Sequence, residues 1–198
     1  EGENLLTVQL DTREDPTIPP FGFVIDYLTY GGLYREVWLE ATAESRLTDL
    51  FVYTPTLQEA VVQWTAELTP AAAAVRIRLE TAEGTLLAEQ TAPAAETGKM
   101  QLSVPEAQPW DTEHPVLHHA VAELLNAAGQ PIDRKQVTFG FRTAEFRADG
   151  FYLNGKKTFL RGLNRHQSYP YIGYAAPESL QREDARILQE ELRCTAVR

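Results

Sequence analysis

The alternation at residues 75–80 constrains this chain most. Val75, Ile77 and Leu79 are apolar, and Arg76, Arg78 and Glu80 between them are charged. A period of two sends successive side chains to opposite faces of an extended strand, so this segment predicts one dry and one wet face. It has companions. Further apolar runs lie at residues 50–53, 60–68, 85–88, 99–104, 116–125 and 136–142, with turn formers such as Glu83-Gly84 between them. Roughly seven short antiparallel strands in about a hundred residues predict an immunoglobulin-like β-sandwich and a mainly β chain. The alanines at 71–74 read as the edge of a strand. Residues 5–10 and 34–39 also read as strands, separated in part by a turn-rich loop at 11–20 that holds three prolines.

A second pattern begins at residue 151. The run Phe151-Tyr152-Leu153 is followed by Asn154-Gly155, the pair preferred where both central residues of a type I′ turn need positive φ. A second run, Thr158-Phe159-Leu160, continues through Gly162-Leu163 and stops at Asn164-Arg165-His166-Gln167. Four hydrogen-bonding side chains at the end of an apolar strand have two readings. One is a polar loop whose histidine caps a carbonyl; the other is a binding site. A tyrosine-rich loop follows, and its Tyr169, Tyr171 and Tyr174 suit rim packing or stacking on a ligand ring. Pro177 then suits the first turn of a helix. Leu180, Ala185, Ile187, Leu188 and Leu192 recur at helical spacing, with Glu178 in the first turn and Arg193 in the last. Residues 195–198 are strand-like. Strand, loop, helix, strand predicts a βαβ unit, and polar residues at the carboxyl end of a parallel strand are where α/β barrels carry chemistry. Arg161, inside a strand, is expected to form a structural ion pair.

Three segments carry a family resemblance. FYLNGKKTFLRGLNRHQSYPYIG with the later RILQEELRCTAVR resembles the start of the barrel domain of glycoside hydrolase family 2, which includes β-galactosidases, β-glucuronidases and β-mannosidases. DYLTYGGLYREVWL, from Asp26, resembles the passage from that family's sugar-binding jelly roll into its middle domain, and VTFGFRT resembles the end of the middle domain. The resemblance implies a jelly-roll tail at 1–35, an immunoglobulin-like sandwich at 36–144 and the truncated start of a TIM barrel at 145–198. It implies a retaining exo-β-glycosidase of β-galactosidase type acting in carbohydrate catabolism, with a β-linked glycoside as substrate. Retaining glycosidases use two carboxyl groups, one acid/base and one nucleophile. The family's pair aligns downstream of Arg198, so no catalytic residue is assigned here and the chain alone is expected to be inactive. The magnesium ligands of some family members align downstream too, so no cofactor is assigned to these residues. Substrate contacts are implied for His166, for Arg198, which could orient a carboxylate bidentately, and for Asn164. Asp26 aligns with a sugar-contacting aspartate, although a loop carboxylate capping backbone N–H groups is the plainer reading. The resemblance is compatible with a homo-oligomer. The alternative function is a non-catalytic sandwich module that binds carbohydrate or serves as structure; the βαβ segment at 151–198 discriminates, because a lone sandwich has no use for it.

Charge and composition exclude other classes. The net charge of −10 argues against nucleic acid, whose binders carry basic patches. No apolar stretch approaches a membrane span. The single cysteine, Cys194, forms no internal disulfide, which fits a reducing, cytoplasmic setting. His114, His118 and His119 do not read as metal ligands: His118 and His119 are adjacent on a strand and face opposite ways, and no cysteine or second acidic residue completes a recognisable ligand spacing. His118 reads as a surface or rim histidine.

Overall fold

The computed structural model describes residues 2–13, 15, 17 and 31–198. They form two compact units, one running Glu40–Leu160 and one made of Glu1–Leu39 with Arg161–Arg198.

The first unit is a β-sandwich. Its strands are β1 (Arg46–Thr56), β2 (Glu59–Glu67), β3 (Ala74–Thr81), β4 (Leu86–Pro93), β5 (Thr97–Ser103), β6 (His118–Leu125) and β7 (Pro131–Phe139). They make two antiparallel sheets, ordered β1-β2-β5 and β4-β3-β6-β7. The fourth strand pairs with the third, whereas in the constant-type immunoglobulin arrangement it joins the sheet of the first, second and fifth. The short turn at 82–85, with Gly84 at φ 89°, lets β4 fold straight back along β3.

The alternation read at 75–80 sets the core. Val75, Ile77 and Leu79 are fully buried, as are Val62, Ala120, Ala122, Leu124 and Phe141, and Trp64, Met100 and Leu102 close the space between the sheets. Each Val, Leu, Ile, Phe or Met among them contributes about 1.5–3 kcal/mol on burial. The outer face of the four-stranded sheet is charged yet closed. Glu123 is buried there because Arg76 caps its Oε2 through Nε at 2.9 Å and Nη2 at 2.6 Å, while Arg78 Nη2 reaches Oε1 at 3.4 Å. Such pairing offsets the desolvation of a buried carboxylate rather than adding much net stability.

Three short strands follow, β8 (Ala144–Arg147), β9 (Gly150–Leu153) and β10 (Lys156–Lys157), in a sheet ordered β10-β9-β8. Asn154 and Gly155 take φ of 52° and 76°, the type I′ turn expected from the sequence. Asn154 also bolts this sheet to the sandwich. Its N–H donates to Thr143 O at 2.8 Å, its Oδ1 accepts from Thr143 N at 3.0 Å and its Nδ2 donates to Trp110 O at 3.0 Å.

Several sequence expectations need correction. Residues 5–10 form no strand, and neither do residues 34–39; Leu5 and Leu39 are 92% and 96% exposed. Hydrophobic pattern supplies the propensity for a strand, but a strand also needs a hydrogen-bonded neighbour, and no described strand pairs with either segment. His118 is not a rim residue. It is only 3% exposed, packed against Phe141 at 5.0 Å and Phe139 at 5.9 Å between ring centroids, and its Nδ1 has no hydrogen-bond partner. Burial pushes its pKa below the usual histidine range, with Glu83 opposing and His119 adding to the shift. It lines a recess of about 510 Å³ with Glu83, Glu106 and Gln108. His119, its neighbour, faces away and meets Thr138 Oγ1 at 3.2 Å.

The second unit holds a βαβ element: β11 (Gly162–Leu163), helix α1 (Glu178–Arg186) and β12 (Ala196–Val197), with β11 and β12 parallel. Pro177 stands at the N-cap of α1 rather than inside its first turn. The helix continues into a π-helical turn, Ile187–Glu191. Arg193 lies past that turn at φ 54°, the left-handed position that ends a helix, so Arg186 and not Arg193 is the basic residue of the last α turn.

Candidate functional site

The candidate site sits at the carboxyl ends of β11 and β12. Gly162 pairs with Ala196 and Leu163 with Val197. The parallel ladder continues on both sides: Thr195 N donates to Arg161 O at 2.8 Å, Arg198 N to Leu163 O at 3.0 Å, and Arg165 N to Arg198 O at 2.9 Å. Gly162 makes this approach feasible, because a Cβ there would lie 2.8 Å from Ala196 O. Arg161 is exposed and forms no ion pair among the described residues; its backbone, bonded to Thr195 and Ala196, is what joins the strands.

This pairing brings two predicted residues together. Asn164 follows Leu163 and Arg198 follows Val197, so both leave the same end of the strand pair in adjacent register. His166 lies two residues further along the loop. All three side chains are exposed. Asp26 lies outside the described residues. The end of a parallel pair collects polar side chains because the ladder stops there and the backbone turns toward solvent.

The loop after β11 is held by a residue that sequence reasoning passed over. Asp184, on α1, accepts from Arg165 Nε through Oδ2 at 2.5 Å and from the Tyr169 hydroxyl through Oδ1; that hydroxyl also lies 3.1 Å from Leu180 O. The hydrogen bond from Tyr169 is the main reason the Asp184 carboxyl is held below the usual carboxylate range, with Arg165 adding to it. The same bond pushes the Tyr169 phenol up. Tyr169 is thus tied to the helix rather than offered to a ligand. One signal was available. The other acidic residues of this segment, Glu178, Glu183, Glu190 and Glu191, pair with Arg182 or Arg186 along the helix, leaving Asp184 for the loop.

Among the described residues no three His, Cys, Asp or Glu side chains come together as metal ligands, and no helix is long and apolar enough to cross a membrane.

Residues 45–142 match the model of the glycosyl hydrolases family 2. The chain is 37% identical over 205 residues to a β-galactosidase of Thermoanaerobacter pseudethanolicus, an alignment covering 99% of this chain and 28% of the relative. It belongs to glycoside hydrolase family 2. A β-galactosidase of Rhizobium meliloti is 37% identical over 185 residues, covering 87% of this chain and 24% of that protein. The fold agrees. The apo structure of Bacteroides uniformis β-glucuronidase 3 superposes with a TM-score of 0.71 at 28% identity, covering 83% of this chain and 21% of that one. Bifidobacterium dentium β-glucuronidase, in complex with coumarin-3-O-glucuronide, gives 0.64 at 26% identity, covering 74% and 26%. This family 2 chain spans about a quarter of the length of the curated relatives it matches.

Proposed function

We propose that this chain is part of a retaining exo-β-glycosidase of β-galactosidase type that hydrolyses O-glycosyl bonds in carbohydrate catabolism. The observation that carries the reading is the parallel β11–β12 pair, which sends Asn164 and Arg198 from one strand end with His166 just beyond. In this reading residues 1–35 are the tail of a sugar-binding jelly roll, 36–144 the sandwich, and 145–198 the opening of a TIM barrel. Asp26, Asn164, His166 and Arg198 bind substrate. Arg198, always charged, holds a carboxylate ionised and oriented, and Asn164 and His166 hydrogen-bond sugar hydroxyls. The acid/base and nucleophile carboxyl groups come from elsewhere in the parent, so no step of bond cleavage is assigned to these residues. The whole enzyme is a soluble, cytoplasmic protein and can be a homo-oligomer.

The test has two arms. The purified chain should turn over no aryl β-glycoside. A longer polypeptide carrying the downstream barrel units should cleave an aryl β-galactoside and release the β-anomer first, as seen by NMR. His166→Ala and Arg198→Ala in it should each lower kcat/KM about 100-fold or more, on the order of 3 kcal/mol of transition-state binding. Turnover by the chain alone, an α-anomer as first product, or unchanged kinetics in both variants would overturn the reading.

A further inference from the structure

The outward face of the sheet β1-β2-β5 carries three cross-strand rows. Phe51 lies opposite Gln63, and Gln63 opposite Lys99. Asp49 stands opposite Thr65 in the next row, and Tyr53 opposite Val61 in the row on the other side. The inner residues of the same strands, Leu50 and Trp64, fill the core, so the aromatic pair on β1 is left to solvent. Phe51 is 55% exposed and Tyr53 41%, with ring centroids 6.1 Å apart and planes inclined by 32°. Beside Phe51 runs a groove of about 390 Å³, lined in part by Asp49, Gln63, Thr65 and Lys99. Among the described residues none of these four polar side chains makes a hydrogen bond within the protein, whereas Gln101 and Glu59 further along the face bond each other at 2.8 Å.

We infer that this face is a docking site for a neutral oligosaccharide, formed by other residues than the strand-end site and independent of the glycosidase reading. Three features choose this occupant. The groove is electrically balanced, Asp49 against Lys99, on a chain of net charge −10; it is an island suited to an uncharged ligand rather than an anion or a cation. Its unspent groups mix donors and acceptors: a carboxylate, an amide, a hydroxyl and an ammonium match the two-way hydrogen bonding of sugar hydroxyls. The two exposed rings on one strand offer flat apolar platforms to the C–H faces of two successive sugars, and aromatic rings supply contact area at low entropic cost.

The probes are β-1,4-linked galacto- and gluco-pentasaccharides, a sulfated pentasaccharide and spermine, added to the full 198-residue chain. Amide and side-chain NMR shifts are followed and affinities are measured by calorimetry. At least one neutral pentasaccharide should bind saturably, with Kd on the order of 1 mM or tighter, and its shifts should map to residues 49–53, 63–65 and 97–99. Phe51→Ala should weaken binding tenfold or more, and Phe51→Tyr should retain it; the position is exposed, and unchanged thermal melting verifies folding. Glu106→Gln, in the recess beside His118, which shares no lining residue with this groove, should leave affinity unchanged. No saturable shifts with either neutral probe would overturn the inference. So would full binding by Phe51→Ala, or tighter binding of the sulfated sugar or spermine.

Discussion

Gly98 gives the sharpest test of how the sandwich is packed. It lies on the edge strand β5 opposite Trp64, and the indole occupies the space a side chain would need. A Cβ at Gly98 would lie 2.1 Å from Trp64 Cζ2, 2.5 Å from Cη2 and 2.7 Å from Cε2. The obstacle is a rigid ring, not a flexible chain end, and it is pinned by its Nε1 hydrogen bond to Ala95 O at 3.0 Å. Gly98→Ala must therefore displace the indole. Overpacking costs typically 1–3 kcal/mol, and loss of the indole hydrogen bond adds about 1 kcal/mol. Replacing a strand glycine by alanine returns about 0.5–1 kcal/mol of chain entropy. The expected net destabilisation is about 2 kcal/mol, within a range of about 1–3.5 kcal/mol.

The mechanism predicts a sign change in a second background. Trp64→Leu is itself costly, by about 3 kcal/mol, because it opens a core void. In that void the extra methyl of Gly98→Ala has room and should be neutral or stabilising by about 0.5 kcal/mol. The coupling between the two sites should then reach about 2 kcal/mol or more, far outside the few tenths expected of independent positions. Urea unfolding followed by circular dichroism on the four proteins of the cycle measures it. Equal penalties for Gly98→Ala in both backgrounds would refute the clash as the cause.

Three further outcomes are expected. Asn154→Gly should cost about 1–2 kcal/mol by losing two side-chain hydrogen bonds, and Asn154→Ala about 1–2 kcal/mol more from the positive φ; both should raise protease cleavage within residues 144–160, and equal effects would deny the backbone contribution. Burial lowers the His118 pKa in the folded state, so the unfolded chain binds more protons between that pKa and the unfolded value near 6.5. Stability is full above pH 6.5 and is lost as pH falls through it; His118→Phe should flatten denaturation midpoints between pH 7 and 5, and an unchanged slope would count against it. Asp184→Asn should bring the Tyr169 phenol back down toward its ordinary value, read as an ultraviolet titration step missing in Tyr169→Phe; a step that stays put would show that Asp184 does not hold it.

Much of the sandwich was legible because its signal is local and repeated. The alternation at Val75, Ile77 and Leu79 reports burial on one face, and each of the seven runs found a strand of the sandwich. Residues 5–10 and 34–39 show where that logic stops. Pattern reports which face of a strand would be dry, not whether a neighbour exists to complete its ladder. His118 failed for a related reason. Its fate depends on Phe139 and Phe141, which reach it only through the β6–β7 register and the path of the chain just past β7.

The strand-end site was legible to a different depth. Asn164-Arg165-His166-Gln167 declares a polar strand end, and the βαβ pattern declares that a second strand returns parallel to it; register then sets Arg198 beside Asn164. What could not be read was how the loop between them is fixed. Arg165 and Tyr169 meet Asp184 only because α1 lies over the loop at one rotation, and the same helix written one residue out of phase would present Glu183 or Ala185 instead. Asp184 touches none of the residues proposed to hold sugar, yet Arg165 lies between Asn164 and His166 and its backbone N–H bonds Arg198 O. One carboxylate therefore fixes the side chain of the residue whose backbone joins the two strand ends. Loss of that carboxylate should disturb Asn164, His166 and Arg198 together, which gives Asp184→Asn a second consequence: backbone amide shifts at all three positions, at a helix residue that contacts none of them.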